Sequence, residues 1–197
     1  MNIIGIIPAR YESTRFPGKP LHPIAGKTLV QHVVERSREA KLLSEVIVAT
    51  DDERIAKVAR EFCAVEMTQA DHPTGTDRIA EVAARLNCEA VVNVQGDEPL
   101  IEPAAIDAVV NCLFENLSRV IEISTGYSEN ASAEQIDDPS VVHLVSRLAG
   151  CVMMVSRFPL PYPMAEAASR TVHVGLYAFT AGALARFAAW ERGPVER

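Results

Sequence analysis

The sequence predicts an α/β protein with a Rossmann-like, mostly parallel sheet and an antiparallel or mixed extension. In the first two-thirds of the chain, short apolar runs alternate with amphipathic stretches, which is typical of βαβ crossovers. From about Val120 onward, apolar runs follow one another with no helix of useful length between them. The 197 residues are 48% hydrophobic and 23% charged, the balance of a chain that buries a sizeable core. We therefore predict one domain over 1–197, with a core at 1–117 and an extension at 118–197.

The predicted core contains four parallel strands. Continuous apolar runs are typical of strands that are buried on both faces of a sheet. The core has two such runs, Ile3–Ile7 and Val46–Ala49, and two that include one polar residue, Ala90–Val94 with Asn93 and the weaker Ala64–Met67 with Glu66. Ligands of parallel sheets bind beyond the carboxyl ends of the strands, so a binding site is expected in the loops that leave these four runs.

Amphipathic stretches between these runs predict the helices. A Gly/Pro-rich loop follows the first strand, and Thr28 can then cap a helix. The cluster Thr50-Asp51-Asp52 is a strong N-cap for the next helix. The apolar faces of the four core helices are Leu29, Val30, Val33 and Val34; Ile55, Val58, Ala59 and Phe62; Ile79, Val82, Ala83 and Leu86; and the apolar positions of Pro103–Leu117.

The extension is predicted to consist mainly of strands. Four strand-like runs are present, at Val120–Ser124, Val141–Ser146, Val152–Val155 and Val172–Phe179. The stretch Ala181–Trp190 then predicts a closing helix.

Charge and composition exclude several classes of function. A formal net charge of −7 disfavours nucleic acid as a partner, because that affinity depends on Lys and Arg neutralising phosphates. No apolar run approaches the roughly 18 residues of a membrane span, and Met1–Ile7 lacks the basic region and cleavage site of a signal peptide. The four cysteines form no C-x-x-C pair and lie beside no histidine at zinc-ligand spacing. These features favour a reduced, cytoplasmic protein without structural zinc.

The loop after the first strand is the most informative stretch of the chain. It carries Arg10, Arg15 and Lys19 together with hydroxyls and small residues. Such a loop suits a triphosphate, because cations compensate its charge while backbone N–H groups approach the phosphates. A solvated loop whose cations pair with nearby carboxylates explains the charges equally well. The G-x-G-x-x-G of dinucleotide-binding dehydrogenases is absent, and Leu21 stands where a Walker A motif ending at Gly26-Lys27-Thr28 requires glycine.

Four segments carry a resemblance to a known family. In chain order they are the opening loop Pro8–Leu21, the stretch Thr68–Glu81, the stretch Asn93–Ile101, and Ser156-Arg157 with His173–Tyr177. Together they resemble the sugar nucleotidyltransferases, and most closely the 3-deoxy-manno-octulosonate cytidylyltransferase family. The resemblance implies transfer of CMP from CTP to 3-deoxy-D-manno-octulosonate (Kdo), with release of pyrophosphate, for lipopolysaccharide synthesis. It also implies Mg²⁺ as the cofactor and a homodimer, with contacts in the extension.

The resemblance assigns roles to particular residues. Arg10, Lys19 and Asp97 are the candidate catalytic residues, and Asp97 is also the candidate Mg²⁺ ligand. Asp97 follows a buried strand, and Mg²⁺ usually takes only one or two protein carboxylates, although Gly96-Asp97-Glu98-Pro99 in isolation favours a simple turn. The candidate nucleotide-binding residues are Pro8, Ala9, Arg10, Ser13, Arg15, Lys19, Thr74, Gly75, Thr76 and Arg78.

The candidate sugar-binding residues are Gln95, Arg157, His173 and Tyr177. Kdo is acidic, and the Arg157 guanidinium can bind a carboxylate through two hydrogen bonds. A lone histidine in a strand is more often structural, and only the family pattern favours His173. The stretch Thr68–Glu81 resembles the family's base-recognition loop, and there Thr76 or Asp77 can alternatively cap the following helix.

The resemblance is incomplete at the C-terminus. The family carries a further segment with a sugar-contacting Glu-Gln helix and a second metal-binding Asp, and neither has a counterpart in these 197 residues. We therefore expect this sequence to be part of a longer chain. Two alternatives stay open: a cytidylyltransferase for another acidic sugar, such as an amino-Kdo or sialic acid, and a truncated, non-catalytic nucleotide-binding module.

Overall fold

The computed structural model describes residues 1–12, 16–129, 132–136, 138–158, 160, 171–191 and 193. These residues form two compact units, one made of 1–124 with 176–197 and the other of 125–175. The predicted division into a 1–117 core and a 118–197 extension with separate roles stays a prediction.

The first unit is built on a mostly parallel sheet, which confirms the predicted fold class. Its strands are β1 (Ile3–Ala9), β4 (Glu45–Thr50), β5 (Ala64–Met67), β6 (Ala90–Asn93) and β10 (Thr171–Thr180). Their order in the sheet is β5-β4-β1-β6-β10. The first four are parallel neighbours, and β10 runs antiparallel to β6. The four parallel strands lie where the apolar runs predicted them, with bounds that differ by one or two residues.

Helices pack against both faces of this sheet. They are α1 (Leu29–Arg38), α2 (Glu53–Ala59), α3 (Gly75–Ala83), α4 (Pro103–Asn116) and α6 (Ala181–Ala189). On one face, α3 and α6 share an apolar cluster with side chains of β1, β4, β6 and β10. Helix α1 contacts β1 and β4, and its helical neighbour is α4. All four apolar residues predicted for α1 are buried, and the Thr28 hydroxyl caps this helix by accepting from Gln31 N at 3.3 Å.

The cap of α3 differs from the sequence-based alternative. The N-cap is Thr74, two residues before Thr76. The Thr74 hydroxyl accepts from Asp77 N at 3.2 Å, and the Asp77 carboxylate accepts from Thr74 N at 3.1 Å. This reciprocal pair is a capping box, which fixes where α3 begins.

A short hairpin inside the predicted Gly/Pro-rich loop was not predicted. Strands β2 (Pro23–Ile24) and β3 (Lys27–Thr28) pair across Ala25 and Gly26, which have φ angles of 47° and 85°. Two successive positive φ angles are typical of a two-residue hairpin turn, whose usual sequence is Asn-Gly or Asp-Gly. Because Ala25 stands where Asn or Asp is usual, the sequence did not indicate this turn.

The second unit is mainly antiparallel. It contains β8 (His143–Ser146), β9 (Val152–Ser156) and the short helix α5 (Ala133–Ile136). Strand β8 pairs with β9 and, at Thr171 and Val172, with the start of β10. Strand β7 (Ile123–Ser128) also pairs with β10, and it begins later than predicted because Val120 turns the chain with a φ of 62°. No helix among the described residues has the length and apolar character needed to cross a membrane.

Candidate functional site

A cavity of about 780 Å³ lies at the carboxyl edge of the parallel strands of the first unit. The loop after β1, the N-terminus of α3 and the loop after β6 form its walls. Its size falls within the range of roughly 300–1,000 Å³ that is typical of small-molecule sites. The lining residues are Pro8, Ala9, Arg10, Glu12, Phe16, Lys19, Pro20, Gly75, Arg78, Gln95, Gly96 and Asp97.

The cavity brings together residues that are far apart in the sequence. Among those predicted from the sequence, it gathers Pro8, Ala9, Arg10, Lys19, Gly75, Arg78, Gln95 and Asp97. Ser13 and Arg15, also predicted to bind nucleotide, lie outside the described residues. The roles of all these residues stay predictions, but their shared location gives those roles a common geometric basis.

Lys19 and Asp97 join two walls of the cavity. Lys19 Nζ lies 2.7 Å from Asp97 Oδ2, and the two side chains are 37% and 52% exposed. Lys19 belongs to a 3₁₀ turn, Lys19–Leu21, whereas Asp97 lies in the loop after β6. Ion pairs this exposed typically contribute about 1 kcal/mol or less to stability. The pair therefore orients two charged groups at the site without being important for folding.

The two arginines of the cavity have different surroundings. The Arg10 side chain is exposed and makes no hydrogen bond or ion pair with the residues that the structure describes. Arg78 is 1% exposed, and its guanidinium lies 2.9 Å from Asp51 Oδ1. It also donates to the Thr68 hydroxyl and, at 3.3 Å, to the Gln69 carbonyl. Arg10 is available for a ligand, whereas Arg78 joins the loops after β4 and β5 to α3.

Burial and charge act on Arg78 in opposite directions. Burial lowers the pKa of the Arg78 guanidinium, and the adjacent Asp51 carboxylate opposes this shift. Asp51 directly follows β4, at the same carboxyl edge as the other loops. It therefore supplies the counter-charge that allows a buried cation to line the cavity.

Gly75 and Gly96 allow their segments to lie close to Pro8, near the end of β1. A Cβ on Gly96 would lie 2.7 Å from the Pro8 carbonyl oxygen, and one on Gly75 would lie 3.1 Å from Pro8 Cγ. Backbone atoms cannot move aside as a flexible side chain can. The end of β1 and the loop after β6 therefore contact each other at a distance that only glycine permits at 96.

Replacing Gly96 by alanine is expected to destabilise the protein by about 1–2 kcal/mol, because the new methyl group must push the loop after β6 away from Pro8 in β1. Nucleotide affinity should fall as well, since Pro8 and Asp97 would separate. Urea unfolding and titration with CTP measure the two effects.

Gly182→Ala is the matched control for this substitution. Gly182 is exposed in α6, and its Cβ would meet only the end of the Arg186 side chain at 3.5 Å. This control should raise stability by about 0.5–1 kcal/mol through helix propensity. Equal stability of Gly96→Ala and the wild type would show that Gly96 and Pro8 are not in close contact.

The N-terminus of α3 presents fewer free polar groups than the sequence suggested. The Thr74 hydroxyl donates to Asp77 Oδ2 at 2.6 Å, and the Thr76 hydroxyl accepts from Asn93 Nδ2 at 3.4 Å. Both threonines are thus engaged with protein groups. Their predicted contacts with a nucleobase stay predictions.

The candidate sugar-binding residues are divided between the units. Gln95 lines the cavity, and Tyr177 lies in β10 opposite Asn93, where burial raises the pKa of its hydroxyl. In the second unit, His173 Nε2 is 2.9 Å from the Thr125 hydroxyl, and burial lowers the pKa of its ring. Arg157, also in this unit, donates to the carbonyls of Pro139 and Ser140 at 3.1 and 3.3 Å. The sugar contacts predicted for these four residues stay predictions.

Sequence reasoning missed several residues of the site. The cavity is also lined by Glu12, Phe16, Pro20 and Gly96, and Asp51 forms the ion pair with the lining residue Arg78. Asp51 could have been found, because it lies two residues after the predicted strand Val46–Ala49, at the carboxyl edge. Nothing in the sequence shows that Gly96 faces the Pro8 carbonyl.

Comparisons with known proteins support a nucleotide site. A profile of the cytidylyltransferase family matches residues 4–197. The 3-deoxy-manno-octulosonate cytidylyltransferase of Geobacter sulfurreducens is 49% identical, over 95% of this chain and 80% of that protein. The one from Solibacter usitatus is 46% identical, over 99% and 78%. A solved structure of a CMP:2-keto-3-deoxy-manno-octonic acid synthetase complexed with CTP superimposes with a TM-score of 0.92 at 35% identity, covering 100% of this chain and 81% of that one.

Proposed function

Because the chain belongs to the 3-deoxy-manno-octulosonate cytidylyltransferase family, we propose that its cavity binds CTP and that the protein transfers CMP to Kdo. The observation that carries this proposal is the meeting of Arg10, Lys19 and Asp97 in one cavity at the sheet edge, with Lys19 and Asp97 2.7 Å apart. Cations and a carboxylate at one cavity suit a metal-bound triphosphate. The related structure that contains CTP supports the same ligand.

The reaction requires positioning and charge compensation. The anomeric hydroxyl oxygen of Kdo attacks the α-phosphorus of CTP, the bond from that phosphorus to the bridging oxygen breaks, and pyrophosphate leaves. The hydroxyl proton is lost to solvent or a base. Arg10 and Lys19 would bind triphosphate oxygens and stabilise the negative charge that develops on the leaving pyrophosphate. A site of this kind accelerates the transfer without a covalent intermediate on the protein.

Mg²⁺ is proposed as the cofactor, with Asp97 as its protein ligand. Asp97 offers a hard carboxylate oxygen at the cavity, and Mg²⁺ commonly combines one or two carboxylates with phosphate and water oxygens. No group of three or more His, Cys, Asp or Glu side chains that could hold a metal is present in the part of the chain that the structure describes. The donor set fits an ion whose other ligands are nucleotide phosphates and water. Such an ion would neutralise charge on the transferring phosphoryl group.

The finer assignments belong to the same proposal. Gln95, which lines the cavity, and Arg157, His173 and Tyr177 are each proposed to contact the sugar. We further propose a cytoplasmic homodimer that serves lipopolysaccharide synthesis. The family resemblance supports these assignments.

Two measurements test the proposal. Isothermal titration of the folded protein with CTP and Mg²⁺ should show binding, and absence of binding would overturn the nucleotide half. A pyrophosphate-release assay should then show turnover with Kdo that exceeds turnover with sialic acid or hexose phosphates. Chelation of divalent cations should abolish this turnover, and readdition of Mg²⁺ should restore it. Faster turnover with sialic acid would redirect the acceptor assignment.

A further inference from the structure

A backbone hydrogen bond joins the two described ends of the loop that carries the candidate triphosphate cations Arg10 and Lys19. Gly18 N donates to the Tyr11 carbonyl at 2.8 Å. Arg10 directly precedes one end of this contact, and Lys19 directly follows the other. This hydrogen bond therefore fixes the separation of the two backbone positions that carry the cations.

The Tyr11 ring supports this hydrogen bond. Gly18 has a φ of 71°, and a Cβ there would lie 3.1 Å from Cε2 and Cζ of Tyr11. Glycine thus lets the backbone at 18 pack directly against the ring. The position of the ring and the position of the Gly18 backbone consequently depend on each other.

Arg54 of α2 holds the same ring. Its guanidinium carbon lies 3.3 Å from the centroid of the Tyr11 ring, which is the geometry of a cation–π contact. The guanidinium is itself fixed by Asp52, with Nε 2.9 Å from Oδ1 and Nη2 2.5 Å from Oδ2. Asp52 is also the N-cap of α2, so the contacts from Tyr11 through Arg54 to Asp52 connect the loop to this helix.

We propose that Arg54 is a positioning residue for the triphosphate site, because it holds the Tyr11 ring and thereby stabilises the Gly18–Tyr11 backbone contact that sets the spacing of Arg10 and Lys19. This inference rests on the proposed binding of CTP. A loop held in its binding conformation loses less conformational freedom when the ligand arrives, and this raises affinity. Arg54 acts through Tyr11 and need not touch the nucleotide.

The test compares Arg54→Ala with Arg60→Ala. Arg60 lies at the C-terminal end of the same helix and pairs with Glu53 at 3.1 Å, so its removal is a matched loss of a paired surface cation. Arg54→Ala should weaken CTP binding by about two- to fivefold, the effect of a partly exposed cation–π contact. The KM for CTP should rise by the same factor, while kcat at saturating CTP stays unchanged. Arg60→Ala should alter neither constant.

Variants of Tyr11 and an exchange measurement complete the experiment. Tyr11→Phe should bind CTP as tightly as the wild type, whereas Tyr11→Leu should weaken CTP binding as Arg54→Ala does. The double variant Tyr11→Leu/Arg54→Ala should bind CTP no more weakly than whichever single variant has the lower affinity. Hydrogen exchange of the Gly18 amide, measured without nucleotide, should be faster in Arg54→Ala and unchanged in Arg60→Ala.

Two outcomes would overturn the inference: unchanged Gly18 exchange in Arg54→Ala, or equal CTP affinity in Arg54→Ala and the wild type. If the wild type binds no CTP, the proposed function fails, and the Gly18 exchange rate alone then decides whether Arg54 holds the loop.

Discussion

Replacement of Asp97 by asparagine is expected to lower kcat by at least about a hundredfold while leaving the fold intact. The carboxamide has nearly the same shape, but it loses the negative charge that would bind Mg²⁺ and that pairs with Lys19 at 2.7 Å. A metal held mainly by phosphates and water depends strongly on its protein carboxylate. Single-turnover and steady-state pyrophosphate release, each at several Mg²⁺ concentrations, measure the effect.

Stability should change little in the same variant. Both members of the Lys19–Asp97 pair are exposed, so its loss should cost about 1 kcal/mol or less. Glu115→Gln is the control, because it removes one exposed negative charge from α4, outside the cavity lining. This control should keep full activity. If Asp97→Asn kept wild-type kcat at limiting Mg²⁺, Asp97 could not be the metal ligand.

The sequence predicted the parallel sheet because each central strand is buried on both faces. A run such as Val46–Ala49 has no polar residue to suggest a helix face, so its type and position follow from composition alone. The same reasoning placed the site, since the carboxyl ends of parallel strands share one edge. The loops carrying Arg10, Gly75 and Asp97 do meet there.

The sequence could not predict which charged side chains of the site are exposed and which are buried. Arg10 and Arg78 are alike as residue types, yet one is exposed and the other is 1% exposed beside Asp51. Burial of a side chain depends on which loops fold over it, and that depends on contacts between distant segments. The close approach of Gly96 to Pro8 and the stacking of Arg54 on Tyr11 are contacts of the same kind.

Replacement of Asp51 by alanine is expected to destabilise the protein by about 3 kcal/mol, the largest loss that we predict for a single side chain. Arg78 would keep its charge in a site where it is 1% exposed, and a buried charge that loses its partner typically costs about 3–5 kcal/mol. The value lies at the low end because Asp51 is 21% exposed, so some water can reach the vacated position. Urea unfolding at neutral pH measures the loss.

A double variant separates the missing charge from the missing side chain. Arg78→Met in addition to Asp51→Ala removes the stranded cation but keeps an apolar side chain of similar length, so the double variant should be more stable than the sum of the single losses predicts. Glu53→Gln, two residues after Asp51 in the sequence, is the control. The ion pair of Glu53 with Arg60 is largely exposed, so loss of this pair should cost less than about 0.5 kcal/mol of stability. Strict additivity of the two single losses would show that Asp51 is not the counter-charge of Arg78.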